Sequence, residues 1–229
     1  MSALKNLNAE IISCNDCRRL RGHCAQIAKT KRLAYTDDKY WGKPVTGFGD
    51  PKARLLVVGL APGAHGANRT GRIFTGDRSG DWLYRALFKA GFSNQPHSSH
   101  IKDGLRLNDA YITCVVRCAP PENKPSIKEI GQCKSYLEHE LEILSQVRVF
   151  VALGQIALQG LWQTLVPGKT RPKLKHGARV KLPDGRTLIF SYHPSQQNTF
   201  TGRLTEPMLD AIFSQSKILL GPALTTDKT

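Results

Sequence analysis

Three short, nearly unbroken apolar runs set the pattern of this chain: Arg54–Leu60 (RLLVVGL), Asp109–Val116 (DAYITCVV) and Val147–Leu153 (VRVFVAL). Their length and β-branched content predict strands, and their continuous apolar character suits strands covered on both faces. Arg179–Leu182 and Thr187–Tyr192 predict a hairpin about Pro183-Asp184-Gly185. Between these lie helical patterns: Asn8–Lys31 with interruptions, Asp81–Ala90, Ser126 to about Leu144, a stretch after Gly154 to about Leu165, and Glu206–Leu220. Ser126 and Glu129 have capping-box spacing. Tyr35–Pro51, Gly91–Arg106 and Pro120–Pro125 are predicted loops. Strands alternating with helices predict a largely parallel sheet with helices on both faces. One domain is expected over residues 1–220, with 221–229 as a loose tail.

Open α/β sheets place ligands beyond the carboxyl ends of their strands. Gly59–Gly80, GLAPGAHGANRTGRIFTGDRSG, follows the first strand and is the leading candidate for such a loop. Its glycines allow close backbone approach, but their spacing fits neither a phosphate loop nor a dinucleotide fingerprint. Arg117–Pro125 and Tyr192–Arg203 are predicted to converge on the same edge.

Charge changes the picture next. The 229 residues carry 33 Lys and Arg against 18 Asp and Glu, a formal net charge of +15. Such an excess favours a polyanion, since each neutralised phosphate releases counterions. No apolar run is long enough to span a bilayer, and the first residues, MSALKNLNAEIISCNDC, lack a secretory core. A cytoplasmic monomer with no membrane association is expected, nucleoid-associated if the source is prokaryotic. There the six cysteines serve as thiols or metal ligands rather than disulfides.

Cys14 and Cys17 form a CxxC pair; Cys118 and Cys133 form a looser one. Four thiolates suit an iron–sulfur cluster or a structural zinc. Spacing leaves both open, and Cys24 is a competing ligand for zinc. Cys24 and Cys114 otherwise read as buried thiols.

Several blocks together resemble the type-5 (class B) uracil-DNA glycosylases, an iron–sulfur branch of that superfamily. They are Gly47–Pro51, Gly59–Gly66 through Phe74–Asp77, Tyr111–Thr113, Val116–Pro125 (VRCAPPENKP) and Ser191–Ser195 (SYHPS). The resemblance implies a three-layer α/β/α sandwich around a four-stranded parallel sheet. It also implies a 4Fe–4S cluster on Cys14, Cys17, Cys118 and Cys133. The activity it implies is excision of uracil from DNA, leaving an abasic site without a covalent intermediate.

Excision needs the nucleotide flipped out of the stack. His193 matches the family's second-motif histidine and can donate to the departing base. Phe74 matches the stacking phenylalanine, with core packing its plain alternative. Leu60 and Ala61 stand where related enzymes carry a water-activating polar residue after Gly59. The water is therefore expected at Asn123, with Asp77 as second candidate, although both residue types also cap turns. Gly59, Leu60, Ala61, Gly63, His65 and Asn68 are expected around the base. Cys114 replaces an asparagine of relatives at a strand position that reads uracil. A thiol bonds poorly, so other deaminated bases such as hypoxanthine are expected as substrates too. Ser195, Gln196, Gln197, Asn198 and Arg203 match the family's DNA-inserting loop. Arg69, Arg72, Arg78 and Lys124 are expected on the phosphate backbone. Two rivals remain: a non-catalytic iron–sulfur nucleic-acid-binding module, and a zinc-stapled phosphate-ester hydrolase.

Overall fold

A computed structural model describes residues 2–222; the expected loose tail lies largely outside the described residues. In chain order the elements are α1 (Ala3–Ser13), α2 (Arg18–Thr30), β1 (Phe48–Gly49), β2 (Leu55–Gly59), α3 (Ala67–Thr70), α4 (Arg78–Lys89), β3 (Ala110–Cys114) and α5 (Ile127–Ile143). After these come β4 (Val149–Leu153), α6 (Gln155–Leu165), β5 (Arg179–Lys181), β6 (Thr187–Ser191), α7 (Gln196–Phe200) and α8 (Glu206–Leu220).

The sheet has six strands in the order β1-β3-β2-β4-β6-β5. The middle four are parallel, and β1 and β5 pair antiparallel at the edges. Every residue of the four parallel strands is buried. Alternate side chains serve opposite layers: Leu56 and Val58 pack with α5 and α6 residues, Leu55 and Val57 with those of α4 and α8. Burying a side chain of this kind contributes about 1.5–3 kcal/mol.

The β5–β6 hairpin forms as the pattern predicts, and two details differ. A further antiparallel edge strand, β1, lies in the expected loop; at only Phe48–Gly49 it is too short to leave an alternation. The second predicted strand starts a residue late because Asp109 sits at φ 55 and its carboxylate grips Arg54 through both oxygens. The capping box forms in full: Ser126 Oγ accepts from Glu129 N–H, and Glu129 Oε2 accepts from Ser126 N–H. The N-terminal helical pattern breaks where CxxC falls: Cys14 caps α1 and Cys17 precedes α2.

No helix among the described residues is long and apolar enough to cross a membrane.

Candidate active site and nucleic-acid interface

The carboxyl ends of β2, β4 and β6 open into a cavity of about 710 Å³. Its walls come from the loop after β2, the β4–α6 junction, the Pro121–Asn123 turn and the segment from His193 into α7. Leu60, Ala61, Gly63, His65, Phe74, Asp77, Asn123, His193, Ser195, Gln196 and Gln197 all line it. Residues far apart in sequence are thus gathered by strand order alone.

Phe74 adopts φ 51, a region that large side chains rarely enter. Its ring lies over Gly59, where an added Cβ would sit 2.7 Å from the ring edge. It also stacks with His193, centroids 5.8 Å apart and planes 29° from parallel. Gly59 is therefore the floor beneath Phe74 and does not itself line the cavity. Strained residues of this sort are found at functional sites, where the surroundings over-determine them.

Asp77 is the N-cap of α4, its Oδ1 accepting from Gly80 N–H at 3.0 Å. Its Oδ2 lies so near Gly63 and Gly66 that an added Cβ would stand 2.7 and 1.9 Å from it. Those two glycines exist to let a carboxylate approach the backbone. Burial pushes the Asp77 carboxyl above the ordinary range, against the smaller opposing effect of the Gly80 N–H.

His193 is held by its backbone, with Asn198 Nδ2 donating to its carbonyl at 2.8 Å. Burial alone lowers its imidazole to about 4, so the ring is neutral at pH 7. Asn123 follows Glu122 in a left-handed turn, φ 52 then 56, and stands exposed on the rim. Tyr40 Oη lies 3.0 Å from His65 Nδ1, fixing that ring against the wall.

Several expected site residues are placed elsewhere. Cys114 is fully buried, its thiol 3.1 Å from Val116 O, and no β3 residue lines the cavity. Asn68 is buried beneath the loop, its amide donating to Cys24 O and Ala64 O. Arg69 is held between Asp38, His65 O and Gly76 O, with its guanidinium 3.9 Å from the Tyr35 ring centre. Arg72 is buried against Asp103, Ser98 and Thr75. These two arginines brace loops rather than face a phosphate. Lys124 is exposed beside Glu122, Arg203 covers the Tyr192 ring, and Asn198 serves His193. Arg32, Tyr35 and the β4–α6 residues Leu153–Ile156 form walls that the sequence pattern did not flag. Only the glycine at 154, φ 91, marks that junction as special.

Cys17, Cys24, Cys118 and Cys133 share one apolar cluster, with Cys14 at its half-exposed edge. None of the six cysteines is disulfide-bonded. Burial, reinforced by Cys133, raises the Cys17 thiol to about 11. The Cys24 thiol is lowered chiefly by its bond with Cys118, and Cys118 is raised by the same contact. Arg19 clamps Glu129 at 2.7 Å, tying α2 to α5 beside these thiols. Among the described residues no three His, Cys, Asp or Glu side chains are gathered tightly enough for one metal ion. Burial holds the Cys17, Cys118 and Cys133 thiols protonated, so these donors would ionise only on binding a cationic centre.

Residues 46–216 match the Uracil DNA glycosylase superfamily. A type-5 uracil-DNA glycosylase of Mycobacterium leprae is 50% identical, covering 96% of this chain and 96% of the relative. One from Thermus thermophilus is 49% identical over 92% of this chain and 95% of its own. Another, from Pyrobaculum aerophilum, is 43% identical over 90% and 88%.

Proposed function

The chain belongs to the uracil-DNA glycosylase superfamily, among its type-5 members, and we propose the following roles for its residues. The enzyme is a DNA-repair glycosylase that excises uracil. A flipped nucleotide enters the cavity over the β2, β4 and β6 ends, and the base lies on Phe74. The C1′–N1 bond breaks with its electron pair going to the base. His193, neutral and donating, stabilises the charge that develops on the base oxygen. Asp77 faces the cationic sugar, and water held at Asn123 attacks C1′ and releases its proton towards the Asp77 carboxylate. The product is an abasic site with the strand intact.

The single observation that carries this reading is the Phe74–His193 stack beside a half-buried carboxylate that two glycines admit. With Cys114 turned into the core, the expectation of relaxed selectivity rests instead on a wide cavity that no β3 side chain reaches. Hypoxanthine remains the expected second substrate. Cys14, Cys17, Cys118 and Cys133 would hold a 4Fe–4S cluster that supplies a structural pin. These residues would then fix the α1–α2 segment to the loop after β3 and to α5. Action as a monomer on DNA in the cytoplasm is part of the same proposal.

The test is incubation with a uracil-containing duplex in chelator, followed by alkali. Cleavage at the uracil position only after alkali is expected. Salt-sensitive binding without base release would favour the non-catalytic module instead.

A further inference from the structure

On the β6 side of the cavity mouth, α7 carries Phe200, 68% exposed, with the Arg78 guanidinium 4.7 Å from its ring centre. On the β2 side stands a turn that nothing in the chemistry above uses. Leu33 at its tip is 90% exposed, while its neighbours Arg32 and Tyr35 line the cavity. We propose that the Arg32–Tyr35 turn is a second DNA-gripping element, with Leu33 packing on the sugars and base edges beside the lesion. This inference rests on the reading of the cavity as a flipped-base site.

A lone exposed leucine is ordinary; its mounting is not. The chain leaves α2 through Lys31 at φ 53. Tyr35 N–H donates to Arg32 O at 2.8 Å, and Thr36 Oγ1 donates to Leu33 O at 2.7 Å, closing the turn. Tyr35 is covered by Arg69, which is fixed in turn to His65 O and Gly76 O at 2.7 and 2.9 Å. The leucine is therefore held out by a turn clamped to the cavity loop itself.

Charge identifies the partner. Lys29, Lys31 and Arg32 precede the tip, in a chain with a net charge of +15. The nearby Asp38 is neutralised by Arg69. Arg32 has no carboxylate partner among the described residues. An apolar tip beside a cation on each side of one cavity suits a kinked duplex, in which phosphates are held and an opened base step is filled.

The experiment measures affinity for a duplex carrying an abasic analogue, together with its salt dependence and the protein's melting temperature. Leu33→Asp is expected to weaken affinity about tenfold, and Leu33→Met to stay within about twofold of the unsubstituted protein. Arg32→Ala is expected to lower the salt slope by about one unit, as loss of one phosphate contact should. Ile218→Ala, at a 79% exposed site on α8, controls for loss of an exposed apolar group and should change nothing. Melting should be unaffected throughout. Full duplex affinity in Leu33→Asp, or an unchanged salt slope in Arg32→Ala, would overturn the proposal. Failure of the unsubstituted protein to release uracil would instead overturn the functional reading, and the affinity measurements would still decide the grip.

Discussion

Glu140 and Asp77 are both drawn inward, and they are treated in opposite ways. Glu140 of α5 is wholly buried with Arg117, which bonds it through both oxygens at 2.6 and 3.1 Å, and with Thr113 Oγ1 at 2.6 Å. Its charge is matched and its acceptors are filled. Asp77 is drawn in with one oxygen capping α4 and the other turned towards Gly63, Gly66 and the cavity. Among the described residues no arginine neutralises it in a direct ion pair; Arg69, the nearby cation, is bound to Asp38. A matched buried charge braces the fold, whereas a half-buried carboxylate without an ion partner is an energetic liability that persists where chemistry needs it. The β3–α5 seam is thus built for stability, and the cavity floor for reaction.

The contrast can be broken first at the seam. Glu140→Ala leaves Arg117 charged and buried, and should destabilise by about 3–5 kcal/mol. Replacing both, Arg117→Met with Glu140→Met, should recover more than half of that loss; equilibrium denaturation measures both. A single variant as stable as the unsubstituted chain would remove the structural half of the contrast.

The cavity should betray itself through pH. His193 binds its proton only near pH 4 when folded, whereas an unfolded histidine does so near 6.5. Between those values the unfolded chain holds more protons, so stability must fall as pH drops through the window. The shift corresponds to roughly 3 kcal/mol at most. Denaturation at pH 7 and pH 4.5 should show this slope in the unsubstituted chain and a shallower one in His193→Gln. Equal slopes would mean that the ring is not held neutral.

The glycine pair offers a smaller, sharper perturbation. Gly66→Ala puts a methyl 1.9 Å from Asp77 Oδ2, so the carboxylate must shift. Excision should slow by about 10- to 100-fold, since a misplaced group of about 1 Å can lose up to 10²-fold. Gly22→Ala, with open space around its Cβ position, should leave the rate unchanged.

Legibility in the sequence followed the range of the forces. The parallel strands were readable because two-sided burial writes an unbroken apolar run, as in Leu55–Val58. The Gly59–Gly80 loop was readable because only glycine admits Asp77 and underlies Phe74. Arginine roles were not. Arg69 and Arg72 carry the charge of a phosphate ligand, but their partners Asp38 and Asp103 lie 31 residues away in each case. Cys114 was misplaced for a related reason: a strand-end residue faces either the cavity or the core, and a one-residue turn of the backbone decides which. Tyr35 became a wall only through its stacking with Arg69, a contact that no local pattern announces.

The division between the two carboxylates is tested most directly at Asp77 by single-turnover uracil excision in Asp77→Asn. Asparagine keeps the helix cap and removes only the charge. Excision should fall by at least about 100-fold, while melting temperature and affinity for the abasic duplex stay as they were. An excision rate within a few-fold of the unsubstituted enzyme would show that the Asp77 carboxylate is a cap and nothing more.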